Sequence, residues 1–100
     1  MKLDFNLIDM AAQSKLGMLL TWLLPVGERR GHEWVALNPN RNDRNLGSFR
    51  INLLNGKWSD FALRDVKGVG AISIVSYILK IPRREAARVV AKYIGDGNEK

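Results

Sequence analysis

The stretch from Gly31 to Gly70, GHEWVALNPNRNDRNLGSFRINLLNGKWSDFALRDVKGVG, decides the fold. It opens on a short alternating run, Glu33 to Leu37, in which Trp34 and Ala36 face one way and Val35 and Leu37 the other. The polar segment Asn38 to Gly47 is turn chemistry throughout, because Asn and Asp close local side-chain hydrogen bonds and Pro39 fixes φ. A second alternating run spans Ser48 to Leu54. There Phe49, Ile51 and Leu53 alternate with Arg50 and Asn52, so the apolar set is expected against a core and Arg50 toward solvent. Asn55-Gly56 is a hairpin signal, since both central residues of a type I′ turn take positive φ. Lys57 to Phe61 is the returning strand, with Lys57, Ser59 and Phe61 on one face and Trp58 and Asp60 on the other.

Upstream, residues 1 to 7 read as a lead-in and Asp9 as the N-cap of a helix that runs to Leu24. Met10, Leu16, Leu19, Leu20, Leu23 and Leu24 recur near helical spacing, and Pro25 with Gly27 stops the run. This nearly all-apolar helix either packs on the core or docks on another protein. Glu28 to Gly31 reads as a charged turn, and His32 as a surface residue with no carboxylate pair to tune it. Downstream, Arg64 to Gly70 is a basic loop with glycines ahead of a helix, a weak phosphate-binding signal that lacks the Walker spacing. Ala71 to Leu79 is rich in β-formers, yet Ala71, Ile74, Val75 and Ile78 keep helical spacing, and helix is the reading adopted. Ile81-Pro82 breaks it, and Pro82 opens a last helix. Arg84, Arg88 and Lys92, four apart on that helix, form a basic stripe that is either a solvated face or a phosphate contact. The expected architecture is α+β: a three-stranded antiparallel sheet with one helix before it and two after. It is a single domain over 1–100, with the N-terminal helix in 1–27, the sheet in 31–70, two helices in 71–95 and a tail at 96–100.

The 100 residues include no cysteine and one histidine. Disulfides, thiolate metal sites and cysteine nucleophiles are thereby excluded, and no metal or cofactor is expected. The run Leu16 to Val26 is shorter than the roughly 20 residues a bilayer needs. The N-terminus MKLDFNLID is acidic where a signal peptide is basic, so no membrane association and a cytoplasmic location are expected. The formal net charge is +6. Residues 1–27 sum to zero, while residues 28–67 and 80–100 each carry an excess of three positive charges. A basic excess on the sheet and the last helix suits a polyanion partner. Basic groups interleaved with Trp34, Trp58 and Phe61 fit a stacking platform for a single strand, unless those aromatics are simply the core. Arg41 and Arg44 project from the turn segment, where Asp43 offers either a pairing partner. Asp43, Asp60 and Asp65 offer magnesium ligands in principle, but Arg41, Arg44 and Arg64 beside them are simpler partners, so an enzyme is not expected.

The order of blocks resembles a known family. Gly31-x-Glu33, Leu37-Asn38-Pro39-x-Arg41-x-Asp43, Gly47-Ser48-Phe49-x-Ile51-Asn52 and Gly56-x-Trp58-x-Asp60-Phe61-Ala62, followed by the basic loop and two helices, are similar to the N-terminal zinc-ribbon-type domain of phage and plasmid DNA primases and primase–helicases. The likeness spans about residues 22 to 95. It implies a domain that grips single-stranded template DNA beside a separate catalytic unit. Ordinary members hold zinc near the positions of Asn38, Arg41 and Asp60, and none of these residues builds such a site. The resemblance therefore implies a ribbon whose metal has been replaced by hydrogen bonds among Asn38, Arg41, Asp43 and Asp60. The expected function is non-catalytic binding of single-stranded DNA in the priming or replication machinery of a mobile element. Arg50, Lys57, Trp58, Arg64 and Lys67 are the leading contacts, with Arg41, Arg44 and Trp34 second. The alternative is a protein-interaction adaptor on a polymerase, primase or helicase, carried by an exposed ridge of Leu16, Leu20 and Leu23.

Overall fold

The structure, a computed structural model, describes residues 4–41 and 45–95. The expectations placed on Asp43 and Arg44 and on the tail lie outside these residues. The chain is α+β: the described residues form four helices and one antiparallel sheet of five strands in the order β1-β2-β3-β4-β5. The strands are β1 Gly27–Arg30, β2 Glu33–Ala36, β3 Phe49–Asn52, β4 Lys57–Asp60 and β5 Lys67–Val69. The helices are α1 Phe5–Gln13, α2 Leu16–Leu23, α3 Ala71–Leu79 and α4 Arg83–Gly95. Among the described residues no helix is long and apolar enough to cross a membrane.

The expected three-stranded sheet is corrected at both edges. The charged segment after Gly27 is not a turn but β1, paired with β2 in the register Arg29 opposite Trp34. The basic loop is partly β5, with Lys67 opposite Ser59 and Gly68 opposite Trp58. β1 and β5 are short, charged and largely exposed, so neither buries the alternate apolar side chains that mark a strand in sequence. The hairpin differs as well. Asn55 does not take positive φ; Gly56 does, at 77°, and the loop runs from Leu53 to Gly56. Asn52 organises it: its Oδ1 accepts from the N–H groups of Leu54 and Asn55 at 2.8 and 3.1 Å. That side-chain turn fixes a longer loop than the two-residue one Asn-Gly suggests.

The expected N-terminal helix is two helices, broken at Ser14-Lys15. It starts earlier than expected, because the Asp4 carboxylate accepts from the Leu7 N–H at 3.2 Å and caps α1. Asp9 therefore lies inside α1, and its Oδ1 accepts from the Ile72 N–H at 2.9 Å instead. It caps α3, whose own flanking residue, Gly70, has no side chain for the task.

The helices gather on one face of the sheet, with α4 packed on α1 and α3. Ala36, Phe49, Ile51 and Trp58 from that face join Leu16, Leu19, Leu20, Ile72, Ile74, Val75, Ala86 and Val90 in one buried cluster. Phe49, Trp58 and Tyr77 pack ring against ring, with centroids 5.2 to 6.2 Å apart. Gly68 makes room for this: a Cβ there would stand 2.2 Å from Ser73 Oγ and 2.8 Å from the Trp58 ring. The glycine is a packing requirement of the core.

Candidate nucleic-acid interface

Strand parity aims every second residue at the uncovered face of the sheet. Arg50 sits opposite Val35 on β2 and Ser59 on β4, and Ser59 sits opposite Lys67 on β5. Lys57 sits opposite Val69. Val35 is fully buried, but Arg50, Lys57, Ser59, Lys67 and Val69, together with Glu33, Asn52, Asn55 and Phe61, line an open depression of about 520 Å³. Phe61 is 73% exposed and Val69 57%, so the depression carries bare apolar surface between its cations.

Its polar groups are mostly donors. Asn55 Oδ1 accepts from the Lys57 N–H at 2.9 Å, and Asn52 Oδ1 is committed to its own loop. Both amide NH2 groups are what these residues offer a ligand. Glu33, the only carboxylate among the described lining residues, is held by Arg50 Nη1 at 3.1 Å. Arg50 Nε also donates to the Gly47 carbonyl at 2.7 Å, which fixes the guanidinium in place. Three cations against one paired carboxylate, beside an exposed ring, suit an anionic ligand with flat apolar parts.

The expected contacts divide. Arg50, Lys57 and Lys67 line this face. Arg64 is exposed on the turn after β4 but does not line the depression. Trp58 also borders the depression, but its side chain turns into the core: it is 5% exposed, and its indole N–H donates to Ser73 Oγ at 3.0 Å. Trp34 is half-buried on the inner side, with its indole N–H on the Leu24 carbonyl at 3.1 Å. Of the three aromatics read as a platform, Phe61 alone stands on the open face, and the other two are core. Asn52, Asn55 and Ser59 were not among the expected contacts. The parity that put Arg50 outward already placed Asn52 and Ser59 beside it.

Arg41 belongs to a second polar cluster, on the inner side. Arg41 Nε and Asn38 Nδ2 both donate to Asp60 Oδ2, at 2.9 and 2.8 Å. The Ala62 N–H donates to Asp60 Oδ1 at 3.0 Å, and Asn38 Nδ2 also reaches the Tyr77 hydroxyl at 2.8 Å. Asn40 ties the loop down further through the Tyr77 carbonyl at 2.7 Å. Burial alone raises the Asp60 carboxyl, but the bonds from Asn38, the Ala62 N–H and Arg41 outweigh it and hold the group below its ordinary value of 3.8. The three described members of the set read as a metal replacement thus meet around one carboxylate. Among the described residues no three His, Cys, Asp or Glu side chains converge as a metal site.

The loop glycines do not leave an anion cradle at α3. The Asp9 carboxylate already occupies that helix end, and a Cβ on Gly70 would stand 2.7 Å from Asp9 Oδ2. The chain matches no family model, no curated protein and no solved structure.

Proposed function

We propose that this chain is a non-catalytic module that binds single-stranded DNA on the open face of its sheet. The observation that supports this reading is a basic face left uncovered by helices, with Phe61 73% exposed among Arg50, Lys57 and Lys67. A single strand has unpaired bases to stack on that ring, and each stacked base contributes about 1 to 3 kcal/mol. The lysines neutralise phosphates, and the amide groups of Asn52 and Asn55 donate to base or backbone acceptors. Service to a priming or replication system of a mobile element is part of the proposal, and it rests on the resemblance of the ordered sequence blocks. The test is titration of a labelled single strand at about 50 and 200 mM salt, the range over which phosphate contacts weaken strongly. Binding that weakens with salt and exceeds binding to a duplex control is the expected result. No binding at the lower salt overturns the proposal.

One observation favours the adaptor reading, though not through the ridge first expected. Leu16 and Leu20 are buried and Leu23 packs against the core. Met18 and Trp22 on α2 are instead 67% and 56% exposed. Lys57→Gln with Lys67→Gln separates the two readings: an adaptor retains its protein partner at full strength, whereas a DNA module binds its strand more weakly and with a smaller salt slope.

A further inference from the structure

The outward face of α4 is a strongly basic surface that the sheet site does not use. Arg84, Arg88 and Lys92 are all exposed and follow at intervals of four. A rise of 1.5 Å per residue sets them along a line of about 12 Å. Glu85, exposed and the helix's one carboxylate, flanks the stripe one turn before Arg88, so the stripe keeps three cations against one carboxylate. Among the described residues none of these cations makes an ion pair. α4 turns Ala86, Ala87 and Val90 into the core and packs on α1 and α3. Its stripe therefore looks away from the core, and so away from the open face of the sheet.

We propose that this stripe is a second polyanion site, which holds phosphodiester backbone by charge alone, so that one chain joins two segments of nucleic acid. Three cations lie over about 12 Å, a length in which one duplex strand sets about four phosphates at 3.4 Å rise each. The aromatic side chain of α4, Tyr93, is half-buried and stacked on Trp22 at 5.4 Å, so the stripe presents no free ring for a base. It reads backbone and not sequence, and the denser charge of a duplex competes for it at least as well as a single strand of equal phosphate number. Joining two segments rests on the sheet-face reading; the stripe itself does not.

The experiment uses the whole chain and the variant Arg84→Gln/Arg88→Gln/Lys92→Gln, three exposed positions whose exchange leaves the thermal midpoint near that of the parent. With a short duplex, the slope of log affinity against log salt is expected to fall by about 2 to 3 in the variant. With one donor-labelled and one acceptor-labelled single strand, the parent is expected to give energy transfer. The variant is expected to bind either strand without transfer. An unchanged slope, or transfer that persists in the variant, overturns the proposal. A strong preference of this surface for single strand over duplex also overturns it. If the slope falls in the α4 variant while Lys57→Gln/Lys67→Gln, added to that variant, leaves its remaining single-strand binding intact, the α4 site stands and the sheet-face reading fails.

Discussion

Asp60 shows how one carboxylate organises a loop. It is 1% exposed, yet it accepts from an arginine, an asparagine amide and a backbone N–H. A buried charge with fewer partners would be costly. Asp60→Asn removes the charge and leaves Arg41 and Asn38 competing for one weaker acceptor, an expected loss of about 2 kcal/mol by denaturant titration at neutral pH. The pH dependence follows from the lowered carboxyl. Its folded value lies below the unfolded one, so its contribution is complete above the ordinary value of 3.8 and is lost as pH falls through the lower, folded value. The parent is therefore expected to lose more stability than Asp60→Asn on going from about pH 6 to pH 2. A parallel decline in both proteins would contradict this. The grouping of Asn38, Arg41 and Asp60 was legible because the resemblance pointed to their positions. Tyr77 was not, since it arrives from α3, 39 residues further on.

At the scale of elements, α3 depends on a residue 63 positions away. Asp9→Ala leaves the Ile72 N–H without its acceptor, and a cost of about 1 kcal/mol is expected. Gly70→Ala costs more, about 1 to 3 kcal/mol, because φ is 95° and the new methyl meets the Asp9 carboxylate. In the double variant the clash is gone, so the two losses are expected to sum to more than the measured total. Strict additivity would show that Asp9 and Gly70 do not press on each other. The sequence made α3 readable through Ala71, Ile74, Val75 and Ile78, against its β-rich composition. It misplaced the start of the first helix because Asp4 and Asp9 are equally good caps by type, and only the packing of α1 on α3 assigns them. β3 and β4 were readable from alternation. β1 was not, because Glu-Arg-Arg looks the same in an edge strand as in a turn.

At the scale of the molecule, charge and stacking on the sheet face are separable. Lys57→Gln/Lys67→Gln removes two cations, and the single-strand salt slope is expected to shrink by about 1.4. Phe61→Ala removes no charge, so the slope is expected to hold while affinity falls by about 1 to 3 kcal/mol. If Phe61→Ala changes neither quantity, the ring is not a stacking surface. The basic balance of the sheet segment was legible from composition, but its distribution was not. Arg41 turned inward to Asp60 while Lys57 and Lys67 stand exposed on the open face, and that choice is made by burial.

The two ends of the sheet carry a further consequence. β1 presents exposed Glu28, Arg29 and Arg30 along its outer margin, and β5 is three residues long with Lys67 among them. An intruding strand from another copy would have to strip water from those guanidinium and ammonium groups before it gained a single ladder bond. Concentrated solutions of this protein should accordingly resist fibril growth, even though a row of unpaired backbone groups lies open on each side.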